Sequence, residues 1–145
     1  MNNLIKSVGA LALAGIFCFN MSNTCSAEEK AKEYSEDVKL IALFTVAEAE
    51  DEPEYGQRLV IDTILNRIDS DEFPNTASGV LYQRGQFSVA TNGRLERCSI
   101  DDDICKLVEE EMEERTNTEV LYFRANHYHS FGTPVTYSGS TYFSK

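Results

Sequence analysis

The chain has 145 residues, with 13 Lys and Arg against 24 Asp and Glu and a formal net charge of −11. That length favours one domain. The acidic balance argues against nucleic acid as a partner, because phosphate binding wants a basic face.

Residues 1–27 read as a signal peptide. Lys6 supplies a positive start, residues 8–19 form an apolar run too short to span a bilayer, and Cys25-Ser26-Ala27 has the small-x-small form of a cleavage site. The expected product is exported, periplasmic or extracellular, with no stable membrane anchor after cleavage. Residues 28–36 are charged and short of apolar groups, a flexible lead-in. Residues 37–145 are the domain proper, long enough to bury a core and expected to be a monomer.

The first helix is expected over residues 37–49, with Ser35 or Asp37 as its cap. Val38, Ile41, Ala42 and Thr45 recur at steps of three and four, and the next position on that stripe is Glu48. A carboxylate on a core-facing stripe is costly unless protonated or paired. Burial and the negative end of the helix dipole both raise its pKa. An acid kept protonated near neutral pH suits general acid catalysis. Periodicity alone leaves open the other reading, a solvated glutamate in a last turn. Glu50, Asp51, Glu52 and Glu54 form an acidic, solvent-facing hinge, and Pro53 suits the first turn of a second helix.

The second helix is expected over residues 56–68, with Leu59, Ile61, Ile64, Leu65 and Ile68 on its apolar face. Arg58, Asp62, Asn66 and Asp69 fall on the polar face, so Asp62 is expected to be solvated. Residues 69–75 form a loop closed by Pro74 and Asn75. Val80, Leu81 and Tyr82 make a short apolar element. Gln83, Gln86 and Ser88 then place amides and a hydroxyl beside Phe87, a composition that suits sugar binding and also occurs in ordinary loops.

A third helix is expected over residues 104–115, with Ile104, Leu107, Val108 and Met112 inward and Glu109, Glu110, Glu113 and Glu114 in solvent. The last third turns to strands, residues 120–123 and 136–143, joined by a loop with Gly and Pro. Cys98 and Cys105 are expected to pair as a disulfide in an exported chain, contributing roughly 2–3 kcal/mol. His127 and His129 would share a face of an extended segment. With no third ligand and no HExxH-like spacing, neither a metal site nor a cofactor is expected.

The blocks Ala47-Glu48-Ala49, Glu52-Pro53, Gly56-Gln57, Leu65-Asn66-Arg67, Phe73-Pro74-Asn75-Thr76, Gly79-Val80-Leu81-Tyr82-Gln83 and Gly85-Gln86-Phe87-Ser88 occur in one order over about residues 38 to 90. In this the chain resembles the SleB-type cell wall hydrolases, which include spore cortex-lytic enzymes. Leu121-Tyr122-Phe123 and Tyr142-Phe143 carry a looser echo. Two departures stand out: Glu50-Asp51 where many relatives have Arg-Gly, and Thr141 where many have His.

The resemblance implies an α+β, lysozyme-like or lytic transglycosylase-like single domain, helical in its N-terminal half with a small β element at the end. It implies action on peptidoglycan glycan strands, with Glu48 as the catalytic acid and Gln83, Gln86, Phe87, Ser88, Tyr122 and Tyr142 as substrate-binding residues. A retaining hydrolase would need a second carboxylate about 5 Å away. None is evident, since Glu52 lies in the hinge, and this favours lytic transglycosylation. The alternatives are a non-catalytic glycan-binding or inhibitor protein with the same fold and, third, a metal-dependent amidase using His127 and His129.

Overall fold

The structure, a computed structural model, describes residues 32–145. The signal peptide and residues 28–31 of the lead-in lie outside the described residues. Four helices precede a three-stranded sheet: α1 (Glu36–Ala49), α2 (Glu54–Asp69), α3 (Ala77–Leu81), α4 (Asp102–Glu113), β1 (Tyr122–Ala125), β2 (Pro134–Ser138) and β3 (Thr141–Ser144). This is the expected α+β order. The stretch read as one long second strand is a hairpin, and its β3 lies between β1 and β2, antiparallel to both. Among the described residues no helix is long and apolar enough to cross a membrane.

The central helix is α1. Ser35 caps it, its hydroxyl accepting from the amide of Val38 at 3.2 Å. Val38, Ile41, Ala42 and Thr45 are buried as the stripe requires, and so are Phe44, Ala47 and Ala49. The apolar arc is therefore wider than one stripe, and α1 packs against α2, α3 and α4 together. The segment before it is docked: Tyr34 is buried and its hydroxyl donates to Asp102 Oδ1 at 2.6 Å.

The middle of the polar face read into α2 is inside the protein, while Asp69 at its end is exposed. Asp62 is fully buried and accepts from the Asn117 amide at 2.7 Å, so its expected solvation is corrected. Asn66 donates to the carbonyls of Asn117 and Val120 at 3.0 and 2.9 Å. The reason lies in α4 and the segment after it, which cover this side of α2 and supply backbone partners; a buried polar side chain survives only where such partners exist. Ile104, Leu107 and Val108 point inward on α4 as expected, but Met112 is 51% exposed and Glu111, 1% exposed, takes the inward place. Glu111 is matched there by Arg58 Nη1 at 2.6 Å and by the amide and hydroxyl of Thr116 at 2.7 and 3.0 Å.

The expected disulfide is absent. Cys98 and Cys105 are both free thiols. Cys105 sits in the first turns of α4 facing the core, where burial, followed by the nearby Asp101 and Asp102, pushes its thiol pKa up. Cys98 ends a short 3-10 turn (Leu95–Arg97) and packs only partly against the core. Asp101 stands between them as the cap of α4, accepting from the amide of Ile104 at 3.0 Å.

Candidate functional site

Glu48 lies in the last turn of α1, half-buried, in the wall of a cavity of about 580 Å³. The other walls are a turn from Tyr82 to Ser88, then Ala90 and Thr91, with Phe123 of β1 closing the far side. The volume is that of a small-molecule site.

Local chemistry fixes each wall. Thr76 caps α3 by accepting from the Gly79 amide at 3.1 Å. A side chain at Gly79 would meet Pro74 Cβ at 2.7 Å, so glycine lets the helix start directly against the preceding loop. After α3 the chain turns through bonds from the Gln83 amide to Val80 O and from the Gln86 amide to Gln83 O, at 3.3 and 3.1 Å. This delivers Phe87 inward and leaves Gln86 and Ser88 exposed at the rim. The Phe87 ring meets Phe44 of α1 edge-on at 5.8 Å and Phe123 at 6.0 Å.

Beneath this wall sits Arg67, 4% exposed. Its guanidinium lies over Phe73, Phe87 and Tyr122 at 4.9, 5.3 and 5.5 Å, and its Nε donates to Leu121 O at 2.7 Å. Burial pushes its pKa down to about 10, which leaves it protonated at neutral pH. It joins α2 to the two segments that carry Phe87 and Phe123.

The electrostatics of Glu48 follow from its place. Burial raises its pKa above the ordinary carboxylate value. Hydrogen bonding from the Val89 backbone and the charge of Arg94 pull the other way without cancelling it. Among the described residues that line the cavity, Glu48 is the one carboxylate.

Glu52, four residues on, has a different task. Its Oε1 accepts from the amide and hydroxyl of Ser140 at 3.2 and 3.0 Å and from the hydroxyl of Thr141 at 2.9 Å. Its Oε2 presses so closely on Gly139 that a Cβ there would lie 2.1 Å away. Gly139 takes a positive φ of 50° in the β2–β3 turn, so both space and backbone call for glycine. Thr141, which departs from the relatives' pattern, is thus one of the groups that hold Glu52.

The structure gathers Glu48, Gln83, Gln86, Phe87 and Ser88 around one cavity, and keeps two of the expected substrate-binding residues apart from its walls. Tyr122 packs on Phe73 and on Phe131. Tyr142 pairs across the sheet with Arg124 and Tyr137, while its neighbour Phe143 pairs with Phe123. Alternation along the strands therefore puts Tyr142 on the opposite face from Phe123. There it stacks on Tyr137 and meets Tyr128 edge-on. His129 bonds the carbonyl of Phe123 at 3.2 Å and stacks on Phe131. Among the described residues no group of three or more His, Cys, Asp or Glu is placed to hold a metal.

Sequence reading missed Arg94, Arg84, Thr91 and the role of Phe123. Arg94 carried no local signal, because its partners Ala47 and Glu50 are more than forty residues earlier.

Spore cortex-lytic enzymes of Bacillus cereus and Bacillus subtilis are 40% and 36% identical to the chain over 59 residues. Those 59 residues are 41% of this chain but only 23% and 19% of the two relatives, so the matched stretch spans less than a quarter of either. The catalytic domain of the Bacillus cereus SleB protein superposes with a TM-score of 0.67 at 26% identity, covering 79% of this chain and 94% of that one. The catalytic domain of the germination-specific lytic transglycosylase SleB from Bacillus anthracis gives 0.66 at 26%, covering 79% and 98%. A family model described as Cell Wall Hydrolase matches residues 51–143, a segment that begins just after Glu48. That match takes in well over half of the chain, and the chain belongs to the cell wall hydrolase family.

Proposed function

We propose that the protein cleaves peptidoglycan glycan strands between N-acetylmuramic acid and N-acetylglucosamine, with Glu48 as the acid. The observation that carries this reading is a lone carboxylate in the cavity wall, with burial favouring its protonated form. Glu48 donates its proton to the glycosidic oxygen as the bond to C1 of muramic acid breaks, and the leaving sugar departs as an alcohol. With no second carboxylate among the described residues that line the cavity to act as nucleophile, the 6-hydroxyl of the same muramic acid attacks C1. Glu48, now ionised, takes the hydroxyl proton and is restored. The product is a 1,6-anhydro sugar, the outcome of lytic transglycosylation. The Bacillus anthracis relative is a germination-specific lytic transglycosylase, which supports the same reading.

Gln83, Gln86 and Ser88 bind sugar hydroxyls and amides at the rim, and Phe87 gives an apolar wall. Tyr122 and Tyr142 would meet a strand only beyond the cavity. The enzyme acts as a monomer outside the cytoplasm, after loss of residues 1–27 and without a membrane anchor.

The test is mass spectrometry of purified peptidoglycan digested with the chain. Products ending in 1,6-anhydro-muramic acid support transglycosylation. Reducing-end muramic acid alone would replace it with hydrolysis, and no loss of turbidity would point to a binding protein of the same fold.

A further inference from the structure

We propose that Arg94 is the positioning residue of this site: it grips the carbonyl just before Glu48 and holds a cation beside the acid, with Glu50 as the counter-ion that tempers that charge. The proposal rests on the reading of Glu48 as the catalytic acid.

The geometry is specific. The last turn of a helix leaves carbonyls without intrahelical partners, and it favours a nearby cation. No basic residue lies in the last turn of α1. Arg94 supplies both needs from another segment. Its Nε donates to Ala47 O at 2.5 Å and its Nη2 to Glu50 Oε1 at 2.7 Å. The guanidinium thus straddles Glu48 along the chain, bonded to the residue before it and the residue two after it.

Arg94 is itself held. Its amide donates to Asn92 Oδ1 at 3.0 Å and its carbonyl accepts from the Arg97 amide at 2.9 Å. Gly93, at a φ of 73°, makes the turn that brings it in. A planar fork with two fixed donors suits this double grip, and Lys could not reproduce it.

Glu54, Asp101 and Asp103 share a neighbouring cavity wall with Glu50. Arg84 and Tyr82 line the cavity of Glu48. Glu52 is turned away onto Ser140 and Thr141. Arg124 lies on the sheet face of Tyr142, and His129 is held on Phe123 O. The α3 segment carries no ionisable side chain. Arg94 is therefore the cation bound directly to the helix end that presents Glu48, and burial and Arg94 act on that acid in opposite directions.

The experiment follows the side-chain carboxyl 13C signal of Glu48 by NMR against pH, in the parent chain and in Arg94→Gln, Arg94→Lys and Glu50→Gln. The pH profile of glycan cleavage is recorded on the same proteins. Arg94→Gln is expected to move the Glu48 midpoint up. Glu50→Gln is expected to move it down, because Arg94 then acts unopposed and a neighbouring negative charge is gone. The alkaline limb of kcat/KM should follow each midpoint, about tenfold in the protonated fraction per unit. Arg94→Lys should return the midpoint toward the parent while kcat stays low, since the fork is lost.

Midpoints that do not move, or that move the same way in Arg94→Gln and Glu50→Gln, overturn the proposal. Glu50 is exposed, so Glu50→Gln keeps the test decisive should Arg94→Gln unfold. Opposed midpoints in a protein that cleaves no glycan would refute the enzymatic reading while leaving the coupling of Arg94 to Glu48 in place.

Discussion

Asp62 and Glu111 face each other across the contact of α2 and α4, both fully buried, and burial there favours the protonated form of Asp62. Asp62 Oδ1 has no hydrogen-bond partner among the described residues. Burial, then the hydrogen bond and charge of Glu111, push the Asp62 pKa up to about 8. Burial pushes Glu111 up as well, but bonds from Arg58, Thr116 and Asp62 outweigh it and leave its pKa lowered.

The first prediction is the pH dependence of stability that this pair imposes. Asp62 has a folded pKa above its unfolded one, so its contribution is fully present below an unfolded pKa near 3.8 and is lost as pH rises toward about 8. Glu111 has the opposite sign, and its contribution is lost as pH falls through its lowered folded pKa. Stability should peak in weak acid and decline toward pH 8, by at most about 1.4 kcal/mol per unit from Asp62. Asp62→Asn offers a donor to Glu111 and an acceptor to Asn117 at every pH. Urea titrations from pH 4 to 9 should show the decline flattened in Asp62→Asn; an equal slope in both proteins would show that Asp62 is ionised in the fold.

Glu48→Gln keeps size and shape but has no acidic proton. Glycan cleavage should fall by about 10²–10⁴-fold from lost general acid catalysis, and further because one group serves both steps. Stability should not suffer. Burial raises the folded pKa of Glu48, so its ionisation above the unfolded pKa weakens the fold, and Gln escapes that effect. The variant should melt at or above the parent temperature near neutral pH and still bind glycan. Full activity in Glu48→Gln would sink the assignment.

Glu52 gives the contrasting case. Glu52→Gln keeps an acceptor for Ser140 and Thr141 and should lose far less activity than Glu48→Gln. Glu52→Ala removes the acceptor of three hydrogen bonds and should cost about 1–3 kcal/mol of stability. Denaturant midpoints for the two variants measure the difference. A dead Glu52→Gln enzyme beside an active Glu48→Gln enzyme would reverse the roles.

The cysteines give a fourth test. In the unfolded, non-reduced protein of residues 32–145, two thiols should react with a thiol reagent. In the native protein Cys98 should react first, because Cys105 is buried with a raised pKa. A chain with no titratable thiol after unfolding would restore the bridge.

Much of the fold was legible because the strong periodic signals lie where burial is simple. The α1 stripe led to Glu48, and the amide-rich turn after α3 led to Gln83, Gln86, Phe87 and Ser88, all in one cavity wall. The acidic face of α4 at Glu110, Glu113 and Glu114 is exposed as expected, but the reading of Asp62 and Asn66 as a solvated face of α2 failed. Asp62, Asn66 and Glu111 are polar and buried because partners from distant segments meet them, and periodicity carries no record of such partners. Arg94 was hidden for the same reason. The sheet faces were hidden by the division of one apparent strand into a hairpin, which settles that Tyr142 and Phe123 point opposite ways.

The grip of Glu52 on Ser140 joins positions 88 residues apart. The hairpin that holds Glu52 is the last part of the described chain to be made, so this contact cannot form until Ser140 and Thr141 have emerged. A nascent chain that has not yet produced Ser140 carries Glu52 without its partners. The last hairpin and the hinge after α1 are therefore closed together, only when nearly the whole described chain is present.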